Sequence, residues 1–406
     1  MYYYTLYSIK RRKTANLITI GISVMLVILL NLYFGSIRSY QSQLDDLARN
    51  IPIFCQITNG SGSLGNGLFI SEKLVDSLRQ SDAVADESCM TVLMAGEGDF
   101  PESEYMRHLN LYVAGANRPE AVGELTYDMI HMEKEGMDAL FAAVDFFSSD
   151  RLECIVSEKV MKKRKWEIGD RILLKFYYYG ADSVYTKLEL HPMGGTAEFE
   201  IVGSMEDLLG KTSAAGTDII LPFDTLKKVY HEFKIPFFAD TFTFHVKNPL
   251  KLNAFKEEMK SIGLLETAQD TADSYTGCAL IVRDNTFIIR AEDLNHSIEM
   301  MQSFFPAVCI LVLLIGYVVS YLAGSSRKGE YVLLRLQGVG KWKGAFLFLA
   351  EQMLLVFIGT ILGDGIVMLM THDLYRTVVV NGVLLAAYFA GAIAAYGRKG
   401  EQIWIK

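Results

Sequence analysis

The chain has 406 residues, of which 51% are hydrophobic and 21% are charged, and its formal net charge is −8. This acidic balance argues against a nucleic acid as partner. A chain that is so apolar and yet carries so many charges is typical of membrane-spanning segments joined to a globular segment.

The N-terminal part predicts an uncleaved membrane anchor. Residues 1–16 include the basic cluster Lys10-Arg-Arg-Lys13, and an apolar run of nearly the length that crosses a bilayer as a helix follows at 17–34. A cleaved signal peptide would end in small residues, whereas this run ends in Asn31-Leu-Tyr-Phe34. We therefore expect a cytoplasmic segment, 1–16, and transmembrane helix 1, 17–34.

The polar segment 35–302 is long enough to bury a core of its own. Short strand patterns alternate in it with short helical patterns, which predicts an α+β extracytoplasmic domain, with α/β as the alternative class. Its most regular stretch predicts a helix at Ser157–Trp166 and a strand at Arg171–Tyr179. From Asn285 a helical pattern continues without a breaker to Pro306, which predicts a stalk that leads into the next apolar run.

Three more apolar runs complete the chain. They predict transmembrane helices 2, 3 and 4 at 303–324, 344–370 and 377–397. A loop at 325–343 separates the second helix from the third, and a tail at 398–406 follows the fourth. The fold class is therefore a membrane protein with four transmembrane helices and the outer domain inserted between helices 1 and 2.

The distribution of lysine and arginine predicts the orientation, because cationic flanks stay in the cytoplasm. These residues concentrate before helix 1, in the 325–343 loop and in the tail, while the turn between helices 3 and 4 has only Arg376. Both termini and the loop are expected to be cytoplasmic. The chain is thus a predicted multi-pass protein of the plasma membrane.

Four of the five cysteines fall in the predicted outer domain: Cys55, Cys89, Cys154 and Cys278. Their long spacings match neither a compact disulfide scaffold nor a zinc motif. One or more disulfides and isolated buried thiols remain the alternatives.

No catalytic motif is present. Gly210-Lys-Thr212 resembles the end of a phosphate-binding loop, but Met205 occupies the position at which that loop needs a glycine. The seven histidines lack the spacing of metal ligands, and Ser157 and Ser204 lack the setting of a hydrolase nucleophile. We expect no catalytic, cofactor-binding or metal site, so the chain itself is not an enzyme.

Helix 3 contains two acidic residues and a step of small residues. Glu351 and Asp364 would be costly to bury in lipid, and a role in helix packing is favoured for both over proton or substrate transport. Glu351 could also pair with a cation near the inner headgroups. Gly359 and Gly363 form a GxxxG step, which lets a partner helix approach closely and favours helix association, dimerisation included.

The loop sequence RKGEYVLLRLQGVGKWK, from Arg327 to Lys343, predicts a short amphipathic helix. Val332, Leu333, Leu336 and Val339 fall on one helical face. Such a helix rests on membrane lipid or docks a cytoplasmic partner.

Four stretches resemble the FtsX-like and MacB-like permeases of ABC transporters. They are SIKRRKTAN at 8–16, IVSEKV at 155–160 with IGDRI at 168–172, FEIVG at 199–203, and RKGE at 327–330 through LRLQG at 334–338 to Glu351. The last is similar to the loop that leads into the third helix of this family. Gln337 replaces a small residue of the family pattern, and Gly340-Lys-Trp-Lys343 departs from it.

The resemblance implies the permease subunit of an ABC-type complex, which pairs with a second copy or a second permease. It implies that a separate ABC ATPase subunit binds ATP and that the permease relays hydrolysis to the outer domain, for export or extraction of an unknown substrate. The implied ATPase contacts are Arg327, Lys328, Glu330, Arg335, Gly338 and Lys341. The alternatives are an FtsX-like relay that activates a cell-wall hydrolase, and a receptor or enzyme that the helices only anchor.

Overall fold

The computed structural model of the protein describes residues 12–132, 138–181, 187–206, 216–268, 274–371 and 375–397. The chain divides into two compact units, a globular unit, Ala48–Ile288, and a helical unit, Met1–Leu47 with Ile289–Lys406. The phosphate-loop lookalike at 210–212 and the tail at 398–406 lie outside the described residues.

The globular unit is built on mixed β-sheets. Its strands are β1 (Phe54–Thr58), β2 (Ile70–Ser71), β3 (Val84–Glu97), β4 (Leu111–Ala116), β5 (Ile130–Met132), β6 (Glu153–Ser157), β7 (Arg171–Ala181), β8 (Leu188–Met205), β9 (Ile219–Pro222), β10 (Phe238–Ala239), β11 (Thr241–Val246) and β12 (Ala279–Arg283). The large sheet has the order β12-β1-β11-β3-β4-β9-β6-β8-β5, β7 pairs with β3 and β8, and β10 pairs separately with β2. The β4–β9 and β6–β8 pairs are parallel and the other pairs are antiparallel.

The central strands of this sheet carry the core. All four residues of β9 are buried, and β6 is buried from Cys154 to Ser157. Strands that are covered on both faces read as unbroken apolar runs, which is the pattern here. Phe146 and Leu125 complete a core cluster around Ile155 and Ile220.

Short helices flank the sheet: α2 (Glu72–Arg79), α3 (Tyr105–His108), α4 (Ala139–Phe147), α5 (Glu158–Arg164), α6 (Phe223–Glu232) and α7 (Leu252–Ile262). Helix α5 shows how the chain sets its boundaries. The Ser157 hydroxyl accepts a hydrogen bond from the N–H of Val160, which caps the first turn. Lys165 has a φ of 61° and ends the helix, and Gly169, with a φ of 97°, turns the chain toward β7. The helix and the strand predicted at this place are confirmed.

All cysteines of the globular unit are free thiols, and Cys55, Cys89 and Cys154 are buried. Desolvation raises the pKa of the Cys55 thiol to about 12. A thiol with so high a pKa stays protonated and unreactive. The cysteines of the described structure therefore match the alternative of isolated buried thiols.

Asp240 is a desolvated acidic residue of the globular unit. Asp240 lies between β10 and β11, and its carboxylate accepts a hydrogen bond from the backbone N–H of Val92 on β3. Its own backbone N–H donates to the carbonyl of Met90 at 2.9 Å, and its carbonyl accepts from the N–H of Leu68 at 3.0 Å. Burial raises the pKa of Asp240 from 3.8 to about 7, against the opposing effect of the Val92 hydrogen bond. This group therefore changes charge near neutral pH.

The helical unit is formed by most of α1 (Lys13–Asn50) and α8 (Asn285–Ser325) and by α9 (Lys328–Leu336), α10 (Lys341–Thr371) and α11 (Tyr375–Gly397). The helical pattern predicted from Asn285 to Pro306 is confirmed, and α8 continues past Pro306 to Ser325. By length and composition, Lys13–Asn50, Asn285–Ser325 and Phe346–Leu369 can cross a membrane, and a shorter apolar stretch, Leu384–Ala394, lies in α11.

Large apolar side chains are exposed on these helices, for example Leu17, Met25, Phe304, Phe346 and Leu369. Water would oppose an apolar surface of this extent, whereas lipid favours it. The helical unit is therefore built for a membrane.

Candidate functional site

The loop between α8 and α10 is the first part of the candidate site. Helix α9 spans Lys328–Leu336, so the predicted amphipathic helix is present but ends well before Lys343. Gly338 stops it with a φ of 84°, a conformation that favours glycine. Arg335 donates from Nη1 to the carbonyl of Val339 at 3.0 Å and so holds the turn that follows.

The exposed surface of this loop is apolar at its centre. Leu333 and Leu336 are 60% and 78% exposed, and Gln337 and Gly338 are exposed beside them. The side chains of Lys328 and Lys341 lie outside the described part of the chain. An apolar patch at the end of a short helix suits contact with lipid or with another protein.

A partly exposed cluster joins α9 to the start of α1. Arg12 forms an ion pair with Glu330, with 3.2 Å between Nη2 and Oε1. The same guanidinium donates from Nη1 to the Ser326 hydroxyl at 3.3 Å. Glu330 therefore faces the N-terminal segment.

A buried ion pair joins the loop to α10. The guanidinium of Arg327 contacts both carboxylate oxygens of Glu351, at 2.7 Å from Nη2 to Oε1 and at 2.6 Å from Nη1 to Oε2. The two side chains are only 8% and 1% exposed. The guanidinium also lies 5.7 Å from the centre of the Phe348 ring, in a cation–π contact. The hydrogen bond from Nη2 to Oε1 and the charge contact from Nη1 to Oε2 are both enclosed, and separating such a buried pair is costly, so the start of α9 is held against α10.

The charged residues Arg327 and Glu330 of the loop have different partners. Arg327 is enclosed and binds Glu351, while Glu330 binds Arg12. The apolar face at Leu333 and Leu336 remains exposed. In this arrangement α9 is attached at its N-terminal end to both α1 and α10, and its other end is open to a partner.

The two glycines of the GxxxG step lie against α1 of the same chain. A Cβ atom at Gly359 would lie 2.6 Å from the Cβ of Ser23, and one at Gly363 would lie 2.9 Å from the Cβ of Val27. The backbones of α1 and α10 thus approach each other more closely than a side chain would permit. Gly391 plays the same part between α11 and α8, because its Cβ would lie 2.6 Å from the carbonyl oxygen of Tyr317.

Tyr388 connects three helices of the unit. Its hydroxyl is hydrogen-bonded to the Ser23 hydroxyl of α1 at 3.1 Å. Its backbone carbonyl accepts one from the Ser320 hydroxyl of α8 at 2.9 Å. The ring is fully buried in a cluster with Leu30 and Val312. Apolar packing and buried polar contacts therefore coincide at one residue of α11.

Replacing Gly359 by alanine is expected to destabilise the helical unit by about 1–3 kcal/mol, because the new methyl group overpacks the contact with Ser23. The control is Gly365→Ala on the same helix, where a Cβ meets nothing within 4 Å and the expected change is within about 0.5 kcal/mol. Detergent-induced unfolding of the purified chain measures both. Equal stability of the two variants would contradict the packing of α10 on α1.

The globular unit offers no metal site among the residues that the structure describes, since they contain no suitable group of three His, Cys, Asp or Glu residues. Ser157 caps α5 and is buried. Ser204 lines a shallow surface depression of about 450 Å³ with Trp166 and Lys162. Neither serine therefore has the setting of a nucleophile.

Comparison with known proteins adds a family. The chain matches the family model described as a MacB-like periplasmic core domain over residues 14–262, which is more than half of its length. No curated protein matches it.

Several solved structures are distantly similar to this chain. The periplasmic region of MacB from Actinobacillus actinomycetemcomitans is 10% identical, with a TM-score of 0.32 over 61% of this chain and 95% of that one. The extracellular domain of the noncanonic ABC-type transporter YknZ from Gram-positive bacteria is 15% identical, with a TM-score of 0.24 over 53% and 88%. A domain of a putative permease protein from Porphyromonas gingivalis is 12% identical, with a TM-score of 0.27 over 57% and 86%. At these TM-scores the structures carry no argument of their own.

Proposed function

The chain belongs to the MacB-like and FtsX-like family of ABC permeases, and from this membership we propose that it is the permease subunit of an ABC-type complex. In this proposal a separate ATPase chain binds and hydrolyses ATP. The permease relays that hydrolysis to its extracytoplasmic domain for export or extraction of a substrate. Membership in the family makes the chain a membrane protein with an extracytoplasmic domain, and it implies an ABC ATPase partner in general.

The proposed topology has four transmembrane helices, with the outer domain between the first and the second. Three long apolar helices and the apolar stretch in α11 support four crossings. The basic residues that flank them favour cytoplasmic termini and a cytoplasmic 325–343 loop. The permease works as a dimer in this proposal, with itself or with a second permease.

One observation carries the coupling role: α9 is attached to two transmembrane helices by ion pairs at one end and exposes an apolar face at the other. A partner that pushes on the exposed face moves α1 and α10 through these pairs. We therefore assign the ATPase contact to the face at Leu333 and Leu336, with Arg335 and Gly338 beside it, and we propose Lys328 and Lys341 as further contact residues of the loop. Arg327 and Glu330 do not contact the ATPase in this proposal. They transmit the movement of α9 through their ion pairs with Glu351 and Arg12.

The test is a pull-down of the tagged chain from its native membranes in a gentle detergent, with partners identified by mass spectrometry. The wild-type chain is expected to retain an ABC ATPase in near-stoichiometric amount. Leu336→Glu leaves both ion pairs intact and places a charge on the docking face. It should reduce the recovered ATPase by at least about tenfold, which corresponds to about 1.4 kcal/mol of binding free energy.

The matched control is Leu265→Glu, which changes a leucine of the globular unit that is 61% exposed. This variant should retain the ATPase in full. Equal retention by both variants would exclude the α9 face as the docking surface. The absence of any ATPase from the wild-type sample, under conditions that preserve a known ABC complex, would refute the coupled permease. A co-purified cell-wall hydrolase would instead favour a signal relay.

A further inference from the structure

A second polar pair lies in the helical unit and plays no part in the coupling described above. Asn381 on α11 donates from Nδ2 to the Oδ2 atom of Asp364 on α10 at 2.7 Å. Asp364 follows Gly363 directly, so the pair lies one residue beyond the contact between α10 and α1. It therefore joins the apolar stretch of α10, Phe346–Leu369, to α11 three residues before the apolar stretch Leu384–Ala394.

One oxygen of each side chain is enclosed and lacks a donor. The Oδ1 atoms of Asp364 and Asn381 are both buried, and neither has a hydrogen-bond partner among the residues that the structure describes. The side chains at 370–380, Arg376 included, lie outside the described part of the chain, and among the described side chains no Lys, Arg or His forms an ion pair with Asp364. Arg327, on the same helical unit, binds Glu351. A carboxylate without a cation is costly in an apolar surrounding, and an enclosed oxygen without a donor adds to that cost.

We propose that Asp364 binds a proton and is a neutral carboxylic acid in the folded protein, hydrogen-bonded in a ring with Asn381. The proton sits on Oδ1 of Asp364 and is donated to Oδ1 of Asn381, while the existing bond from Nδ2 to Oδ2 remains. One proton then satisfies both enclosed oxygens and removes the charge. The pair is thus a proton-binding site between α10 and α11.

A metal cation explains the pair less well. Hard cations in proteins take about six or more oxygen ligands, and even magnesium needs near-octahedral coordination. The pair offers two free oxygens, and no group of three metal-binding side chains occurs in the described ranges. A proton needs only one donor position and one acceptor, which is what the two oxygens provide.

The proton site bears on the packing of α10. The same helix carries Glu351, which holds the loop, and the glycines that contact α1. Loss of the proton would place an unpaired negative charge at the contact between α10 and α11, and the two helices would separate or admit water to solvate it. This inference does not depend on the proposed ATPase, because it follows from the enclosed oxygens alone.

Infrared difference spectroscopy of the full chain in lipid vesicles tests the proposal. Subtracting the spectrum of Asp364→Asn from that of the wild type isolates one side chain, which matters because Asp240 also changes charge near neutral pH. The expected result is one carbonyl band of a protonated carboxylic acid that shifts in heavy water and persists from about pH 6 to about pH 8. A difference spectrum with carboxylate bands only, over this whole range, would overturn the proposal.

A second variant keeps the proposal testable if Asp364→Asn fails to fold. Asn381→Leu keeps the acid and removes its partner, so the acid band should move to the higher frequency of a carbonyl without a hydrogen-bonding partner. An unmoved band would show that Asn381 does not hold the proton, and would overturn the ring. Dependence of the wild-type band on added sodium instead of pH would assign the site to a metal cation and would also overturn the proposal.

Discussion

Replacing Arg327 by methionine is expected to lower the free energy of unfolding of the helical unit by about 3–5 kcal/mol. The substitution removes both contacts to Glu351 and leaves a carboxylate that is 1% exposed without its cation. Methionine keeps much of the volume and the apolar stem, so the loss measures charge and hydrogen bonding more than packing. Detergent-induced unfolding of the purified chain, followed by the fluorescence of its tryptophans, measures the effect.

Two further variants make this prediction specific. Arg12→Met removes the Arg12–Glu330 pair, which is more exposed, and is expected to cost about 1 kcal/mol or less. The double variant Arg327→Met with Glu351→Met should recover most of the stability, because no unpaired charge remains. A single variant at Arg327 that is no less stable than the one at Arg12 would show that the buried pair does not hold the loop.

Replacing Asp240 by asparagine is expected to stabilise the globular unit by about 2–4 kcal/mol at about pH 8. The pKa of this carboxyl group is about 7 in the folded chain, against 3.8 for the free group. The folded state therefore binds the proton more tightly than the unfolded state. The stability that the protonated group contributes is complete below about pH 4 and is lost as the pH rises through about 7. Asparagine stays neutral and can still accept the hydrogen bond from Val92.

The measurement is the unfolding temperature of the full chain and of the variant at about pH 4.5 and about pH 8. The gain should be large at the higher pH and below about 1 kcal/mol at the lower one. Asp224→Asn serves as the control, since Asp224 lies at the surface and pairs with Arg79 at 2.7 Å. A gain at Asp240 that does not change with pH would refute the shifted pKa as its cause.

Elements with regular patterns were predictable from the sequence, and elements with mixed patterns were not. The alternation of polar and apolar residues from Thr241 to Val246 predicts a strand, and β11 has these bounds. The sequence pattern predicts a strand only from 198 to 202, whereas β8 spans Leu188–Met205. Gly194 and Gly195 interrupt the strand pattern, but Gly195 is needed because a Cβ there would lie 2.2 Å from the ring of Phe233.

Helix α4, Ala139–Phe147, was not predicted from the sequence, and the reason is different. Eight of its nine residues are apolar, so its sequence lacks the periodicity that distinguishes a helix from a buried strand. Its type is decided by packing, since Phe146 enters the core while Phe141 stays exposed.

The sequence predicted which residues belong to the candidate site, but it did not predict which of them bind each other. The sequence indicated that Glu351 could bind a cation, yet it did not identify Arg327, which was expected to contact the ATPase. The two are 24 positions apart, and the turn at Gly338 determines which residues of the loop return to α10. The sequence indicated a role for Asp364 because it is an acidic residue in a predicted membrane helix. Its partner Asn381 is neutral, so nothing in the sequence marked it as a partner.

The hydrogen bonds of Tyr388 connect α11 to α1 and to α8, so a movement of α11 affects both contacts. Rotating this helix about its axis would pull the tyrosine hydroxyl from Ser23 and its carbonyl from Ser320 in one step. Tightly packed interfaces of this kind have discrete settings and do not deform continuously. We therefore expect the bundle to have two discrete packing arrangements. The hydrogen bonds of α11 to the serines of α1 and α8 should break together when the bundle changes from one arrangement to the other.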